Sequence, residues 1–162
     1  MKVITCALVF ISCFSGSVRG ACEPPHATIE LPNSALTQEQ MDLRYRIYLA
    51  ACTKVGGDLI DSESTTYHDR IGLGVLAKMA PIDLLPQELL RKGESGVVSV
   101  AAIIESTGKV TEVMLIGTSG YKSIDKNALK LIRHHRYQQP FTLDGVPIRV
   151  FKTYVIASHS AD

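Results

Sequence analysis

Few side chains in this 162-residue sequence have both the type and the spacing that chemistry requires. His134 and His135 are adjacent in a helical pattern, and neighbouring helical residues point in different directions, so they make poor joint metal ligands. No cysteine or carboxylate spacing completes a zinc site. The run 117–120 lacks the spacing of a nucleophile elbow and is typical of a turn. The sequence therefore predicts no catalytic residue, no metal, no cofactor and no enzymatic activity.

The first twenty residues have the plan of a secretory signal peptide. A basic start at Lys2 precedes an apolar run over 3–14, and small residues follow up to Gly20. We expect export, with residues 1–20 as the leader. Two alternatives stay open. Residues 3–18 could be retained as an inner-membrane anchor, although a span needs about 20 apolar residues, or a lipid could be attached to a cysteine.

Export changes how the four cysteines are interpreted. Cys6 and Cys13 leave with the leader, and an oxidising compartment allows one pairing of the remaining two, Cys22 with Cys52. Closing a loop of about thirty residues stabilises a fold by roughly 3 kcal/mol in the chain-entropy model. The alternative is two unpaired thiols.

The overall composition excludes several classes of protein. Hydrophobic residues make up 46% and charged residues 20%, which is ordinary for a globular domain and excludes general disorder. The formal net charge of +1 gives no basic footprint for nucleic acid. We expect no nucleic-acid partner.

Residues 21–84 are predicted to form an N-terminal extension with one amphipathic helix. Thr37 and Gln40 have the spacing of a capping box, and the pair 56–57 of glycines ends the helix. Residues 58–80 have no clear period; 61–66 are expected to be a solvated loop and 71–79 a short helix or strand. The apolar stripe of the helix is predicted to contain Met41, Tyr45, Tyr48 or Leu49, and Cys52.

The C-terminal half has clearer patterns. A short helix is predicted over 86–91, and β-branched residues predict strands over 97–105 and 110–116, joined as a hairpin. A helix capped by Ser123 follows, with its apolar face on the hairpin. Asp144-Gly145 marks a turn before a third strand over 147–157. This order predicts an α+β, two-layer domain. The apolar helix face contains Ile124, Ala128, Leu131, Ile132 and His135.

Several short motifs in this half carry a family resemblance. In chain order they are Leu85-Pro86, Gly96-Val97-Val98, Gly108-Lys109-Val110, Thr118-Ser119-Gly120-Tyr121, Ile124-Asp125, Ala128, Arg136-Tyr137 and Pro140. Their order and spacing over 85–157 resemble the C-terminal domain of the TonB family, the periplasmic energy transducers. His135 stands where that family usually has Trp.

The resemblance implies a TonB C-terminal-like fold, a three-stranded antiparallel sheet packed by helices, with residues 85–157 as the domain. It also implies a periplasmic location and capture of a receptor segment by β-strand addition at the last strand. The partner would be a peptide segment of a TonB-dependent outer-membrane receptor or another envelope protein, with only indirect membrane contact. The predicted partner-binding residues are Arg149, Val150, Phe151, Lys152, Thr153, Tyr154, Val155 and Ile156.

Two alternatives to receptor binding remain open at this stage. The last strand could be an ordinary sheet edge that Lys152 protects against aggregation. The protein could also be a non-energised envelope scaffold or oligomerisation module, for example a homodimer, whose N-terminal extension covers that edge. Whether the edge is open or occupied distinguishes these functions.

Overall fold

The computed structural model describes Cys22 and residues 36–64, 66–67, 69–76 and 95–158. The predicted leader and the predicted helix over 86–91 lie outside these residues. The elements, in chain order, are α1 (Gln38–Lys54), β1 (Ile60–Asp61), β2 (Ile71–Gly72), β3 (Val75–Leu76), β4 (Gly96–Ile104), β5 (Val110–Gly117), α2 (Lys122–His134), β6 (Tyr137–Gln139), β7 (Thr142–Leu143), β8 (Val146–Pro147) and β9 (Val150–Ser158).

The central sheet has four strands in the order β1-β9-β4-β5. β4 pairs antiparallel with both β5 and β9, which confirms the predicted three-stranded antiparallel sheet. β1 comes from the N-terminal extension and pairs parallel with the start of β9, Ile60 opposite Val150 and Asp61 opposite Phe151. The extension therefore contributes a fourth strand that the sequence pattern did not predict.

Helices cover both faces of this sheet, because side chains alternate between faces along each strand. Val98, Val100 and Ala102 of β4 pack in the core that contains α2. Ala101 and Ile103 pack in a second core that contains α1. The α+β class is confirmed, and α1 adds a third layer to the two predicted ones. A strand buried on both faces reads as a continuous apolar run, as 100–104 does.

The helix α2 packs as its periodicity predicts, with Ile124, Ala128, Leu131 and Ile132 buried. Its start differs from the prediction: Tyr121 is the N-cap, so the predicted cap, Ser123, lies inside the first turn. Both helices in the described part of the chain fall short of the length and apolarity that a membrane span requires.

The helix α1 begins at the predicted capping box. Thr37 Oγ1 accepts a hydrogen bond from the Gln40 amide at 3.3 Å, and Gln40 Oε1 accepts one from the Thr37 amide at 3.0 Å. The buried face differs in part from the predicted stripe. Tyr48 and Cys52 are buried as expected, whereas the rest of the buried face consists of Arg44 and Ala51.

The last strand is shorter at its start than predicted. Pro147 belongs to β8, which forms a small hairpin with β7, and β9 starts at Val150. The hairpin turns at Asp144 and Gly145, whose φ angles of 50° and 82° are those of a two-residue turn between antiparallel strands. The predicted turn is confirmed, but the chain after it makes a separate hairpin before it enters the main sheet.

The capping box allows a test of how α1 is anchored. Thr37→Ala should lower the free energy of unfolding by about 1 kcal/mol, because the Gln40 amide loses its acceptor. Urea denaturation at constant m-value measures the change. Thr53→Ala on the same helix is the control: the exposed Thr53 hydroxyl donates to the Leu49 carbonyl within the helix, so its removal should change stability by less than about 0.5 kcal/mol. Equal losses in the two variants would contradict the role of the cap.

Candidate functional site

The outer edge of β9 is the predicted partner-binding surface, and β1 covers its first part. The Ile60 amide donates to the Arg149 carbonyl at 3.2 Å, and the Ser62 amide donates to the Phe151 carbonyl at 2.9 Å. Backbone groups of a strand alternate in direction, so the amides and carbonyls of Thr153, 155 and 157 face the same side as those of Phe151. In the part of the chain that the structure describes, no strand pairs with that side beyond Phe151.

A buried ion pair holds β1 on β9. Arg44 of α1 is fully buried, and its two terminal nitrogens donate to the two carboxylate oxygens of Asp61 at 2.7 and 2.6 Å. Its Nε donates to the hydroxyl of Thr153 at 2.7 Å, and its guanidinium lies 5.1 Å from the ring centre of Phe151. The bidentate pair and the ring contact therefore join one helix and two strands.

The prediction of a solvated loop over 61–66 is wrong at two positions. Asp61 is 5% exposed and Ser64 is 2% exposed. Asp61 also organises the turn that follows β1, because its side chain accepts a hydrogen bond from the Glu63 amide at 3.0 Å and its carbonyl accepts one from the Ser64 amide at 3.1 Å. Residues 61–64 thus lie in a turn that closes against the sheet.

Sequence reasoning missed Arg44 altogether. Charged residues on a helix normally face solvent, and its partners lie 17 and 109 residues away in the sequence. A charged residue on the same helical face as Tyr48 and Cys52 was the one available signal, since Arg44 precedes Tyr48 by four positions and is therefore on its face.

The predicted flanking side chains of the edge all have partners within the chain. Arg149 pairs with Glu105 at 2.7 Å, and Lys152 lies 3.4 Å from Glu63. The Tyr154 hydroxyl shares a hydrogen bond of 2.7 Å with another tyrosine hydroxyl, that of residue 137. These contacts orient the three side chains in the absence of any partner.

The remaining predicted residues lie in different surroundings. Val150 and Phe151 are fully buried in the two cores on opposite faces of the sheet, and Thr153 is occupied by Arg44. Ile156 is half-buried against the α2 core. Val155 is 43% exposed, so it is the side chain of this segment that most faces solvent.

Val155 has an exposed apolar neighbour across the sheet. Val97 of β4 is 49% exposed and pairs with Ala157, while Val155 pairs with Ser99. Residues 97 and 155 are thus diagonal neighbours on one face, within reach of a shared contact. Together they form an apolar surface beside the part of β9 that β1 leaves uncovered.

An aromatic cluster supports β9 from the other face. The Lys152 ammonium lies 5.8 Å from the ring centre of Phe141 and 5.9 Å from that of Tyr154. Burial, followed by the Tyr137 contact, raises the pKa of Tyr154, and burial raises the pKa of Tyr137. Both phenols are therefore neutral at physiological pH, and either hydroxyl can donate the hydrogen bond that they share.

His135 belongs to the same cluster. Its ring centre lies 5.7 Å from that of Tyr154, and both ring nitrogens are buried without a hydrogen-bond partner among the described residues. Burial lowers the pKa of this imidazole. A ring with two unsatisfied polar atoms thus occupies a position that suits an apolar side chain.

The two cysteines that remain after the predicted leader lie together. The Cα atoms of Cys22 and Cys52 are 5.9 Å apart, which a disulfide can span, and Cys52 is fully buried on the inner face of α1. The pairing remains a prediction. No cluster of histidine, cysteine or carboxylate side chains suited to a metal ion occurs within the described ranges.

Comparison with known families identifies the C-terminal part of the chain. Residues 84–154 match the family model described as the Gram-negative bacterial TonB protein C-terminal. This segment is a TonB C-terminal family domain. The resemblance carried by the short motifs is thereby confirmed. In the TonB domain, β4, β5 and α2 form the hairpin and helix, and β9 is the last strand.

The solution NMR structure of the Pseudomonas aeruginosa TonB C-terminal domain is similar to this chain at 18% sequence identity. The alignment covers 54% of this chain and 85% of that domain, with a TM-score of 0.39. No curated protein matches the sequence.

The ion pair allows a double-mutant cycle. Arg44→Met or Asp61→Leu alone should cost about 3–5 kcal/mol of unfolding free energy, because each leaves a buried charge without its partner. The double variant should cost less than either single change, since no charge remains to be desolvated. Urea denaturation of the four proteins measures this, and Lys54→Met, which breaks an exposed pair with Glu112, should cost below about 1 kcal/mol. Additive losses would contradict the pairing.

His135 predicts a pH dependence of stability. Its pKa is lowered in the folded state, so the unfolded state, with a pKa of about 6.5, binds more protons near that pH. The contribution of neutral His135 is present above pH 6.5 and is lost as the pH falls below it. The urea midpoint should fall more steeply between pH 8 and pH 5 in the unaltered protein than in His135→Phe. Parallel curves for the two proteins would contradict this.

Proposed function

We propose that the protein is a periplasmic TonB-like binding module that captures an extended segment of a TonB-dependent outer-membrane receptor. The observation that carries this proposal is the side of β9 over 153–157, with which no strand among the described residues pairs, in a TonB C-terminal family domain. Domains of this family act with outer-membrane receptors, which gives the class of partner. The site is the part of the predicted segment 149–156 that lies beyond β1.

The backbone of this edge supports strand addition. Residues 153, 155 and 157 each direct an amide donor and a carbonyl acceptor away from β4. An extended peptide that pairs with them would satisfy these groups in the way that a further strand of the sheet would. The rest of the binding surface is supplied by side chains, chiefly Val155 with its neighbour Val97.

The proposed compartment is the periplasm. The TonB C-terminal family is a family of periplasmic domains. An exported chain would also meet the oxidising conditions that a Cys22–Cys52 disulfide requires. Mass spectrometry of the mature protein without reductant tests both points: we expect residues 1–20 to be absent and the mass to be that of the disulfide form. A mass that corresponds to two free thiols would contradict the pairing.

A second function is favoured by a separate observation. β1 is fixed on the edge by a buried ion pair, and α1 covers one face of the sheet, as expected for an envelope scaffold that does not bind receptors. In that case the uncovered part of β9 would have no peptide partner. Crosslinking in cells distinguishes the two functions.

The crosslinking experiment places a photoreactive residue at position 155 in the full chain, in Gram-negative cells. We expect a product with an outer-membrane receptor. A photoreactive residue at Lys126, an exposed position on α2, is the control and should give no such product. Absence of a receptor product at 155, or equal products at both positions, would discard receptor capture in favour of the scaffold.

A single substitution tests the backbone chemistry. Val155→Pro removes the amide donor that faces away from β4, whereas the hydrogen bonds between residues 154 and 156 and β4 remain. Edge strands tolerate proline at such a position. The variant should keep its fold and lose the receptor crosslink, placed for this test at residue 97. Val155→Thr, which retains the amide and the β-branched shape, should keep the crosslink. An unaltered yield in the proline variant would contradict strand addition.

A further inference from the structure

A partner strand that pairs with the edge of β9 would reach the end of β1, which already pairs with the start of that edge. The Ser62 amide pairs with the Phe151 carbonyl, and the chain then turns away from the sheet, with the Ser64 amide bonded to the Asp61 carbonyl at 3.1 Å. β1 therefore ends where the side of β9 that pairs with no other described strand starts. A strand that continued along the same line would lie end to end with β1.

β1 is held in this position by contacts on both faces of the sheet. On one face, Asp61 accepts both hydrogen bonds from the fully buried Arg44. On the other, Glu63 lies 3.4 Å from the Lys152 ammonium, and the side chains of these two residues are 16% and 27% exposed. Displacing β1 would expose Arg44 and Phe151, which have no contact with water in this arrangement.

From this geometry we propose that β1 is a permanent strand that limits the added partner to a short segment of about five residues, paired with 153–157. The inference rests on the proposed function, because it specifies the partner of the same edge. It differs from the expectation that the whole segment 149–156 is available. The partner adds beyond β1 and does not replace it.

The side chains beside this short edge define the chemistry of the segment. A partner residue opposite Val155 shares the face of Val155 and Val97, which are both exposed and apolar. At the end near β1, Lys152 and Glu63 neutralise each other and offer no unpaired charge. The site therefore fits an extended, uncharged segment with an apolar, preferably β-branched residue at its centre.

Peptide titrations test the length limit on the full mature chain. The probes are acetylated and amidated peptides of alternating valine and threonine, with five and nine residues, and chemical-shift titration gives the dissociation constants. We expect the two peptides to bind within about threefold of each other. A five-residue peptide with aspartate at its centre should bind at least tenfold more weakly.

A variant that frees the first part of the edge provides the matched comparison. Arg44→Met and Asp61→Leu, combined with Ile60→Pro and Ser62→Pro, remove both the ion pair that holds β1 and the two amide donors that join it to β9. In this variant the nine-residue peptide should bind at least tenfold more tightly than the five-residue peptide, because the outward groups of residues 149 and 151 become available. Far-ultraviolet circular dichroism confirms that the variant is folded.

Each outcome decides a different point. If the nine-residue peptide binds the unaltered protein tenfold more tightly than the five-residue peptide does, the length limit is wrong. Receptor capture would not be contradicted by that result. Binding that tolerates the central aspartate would overturn the assigned chemistry. If neither peptide binds, the proposed function fails and the length limit fails with it. The comparison of the two peptides on the unaltered protein tests the length limit by itself, so the test stands even if the proline variant does not fold.

Discussion

The buried ion pair between Arg44 and Asp61 determines how the N-terminal extension and the TonB domain fit together. Two charges that are almost entirely removed from water are tolerated here because the Arg44 nitrogens donate to Asp61 and Thr153 and its guanidinium lies over the Phe151 ring. This requirement fixes the position of α1 over Phe151, of β1 beside β9, and of the Thr153 hydroxyl between them. Pairs of this kind contribute more to a unique arrangement than to net stability, and here the arrangement is the edge of the sheet.

That arrangement changes what a TonB domain presents to a partner. In the sequence, the last strand reads as an exposed edge flanked by Arg149, Lys152 and Tyr154. In the structure, these three side chains bond to Glu105, Glu63 and Tyr137, and the first residues of the edge pair with β1. The surface that this edge offers to the proposed partner is therefore a short stretch of backbone beside two exposed valines. Because β1 pairs with β9 only at Val150 and Phe151, the N-terminal extension leaves residues 153–157 without a partner strand among the described residues.

Local patterns in the sequence predicted the parts of the fold that depend on neighbouring residues. The capping box at Thr37, the turn at Asp144 and the hairpin of 97–105 with 110–116 each have a signal within a few positions, and each is present. The position of β1 has no such signal. A two-residue strand shows no periodicity, and an acidic run is typical of solvated loops. Its burial depends on Arg44 and β9, which are distant in the chain.

The candidate site, like the fold, was predictable only where it depends on local patterns in the sequence. Motif order identified the TonB domain and its last strand, because those residues are set by the hairpin and helix around them. The covered portion of the edge could not be predicted, since the segment that covers it lies outside the domain. His135 is intermediate: its place on the helix face was predicted from periodicity, but the burial of both ring nitrogens without a partner among the described residues was not.

Amide hydrogen exchange measured residue by residue, with and without the nine-residue valine–threonine peptide, tests whether β1 stays paired with β9 when a partner strand binds. With β1 permanent and the partner beyond it, the amides of Ile60 and Ser62 are protected in both states, whereas those of Thr153, Val155 and Ala157 gain protection only when the peptide is bound. Loss of protection at Ile60 and Ser62 upon binding would show that the peptide displaces β1 and would contradict the account.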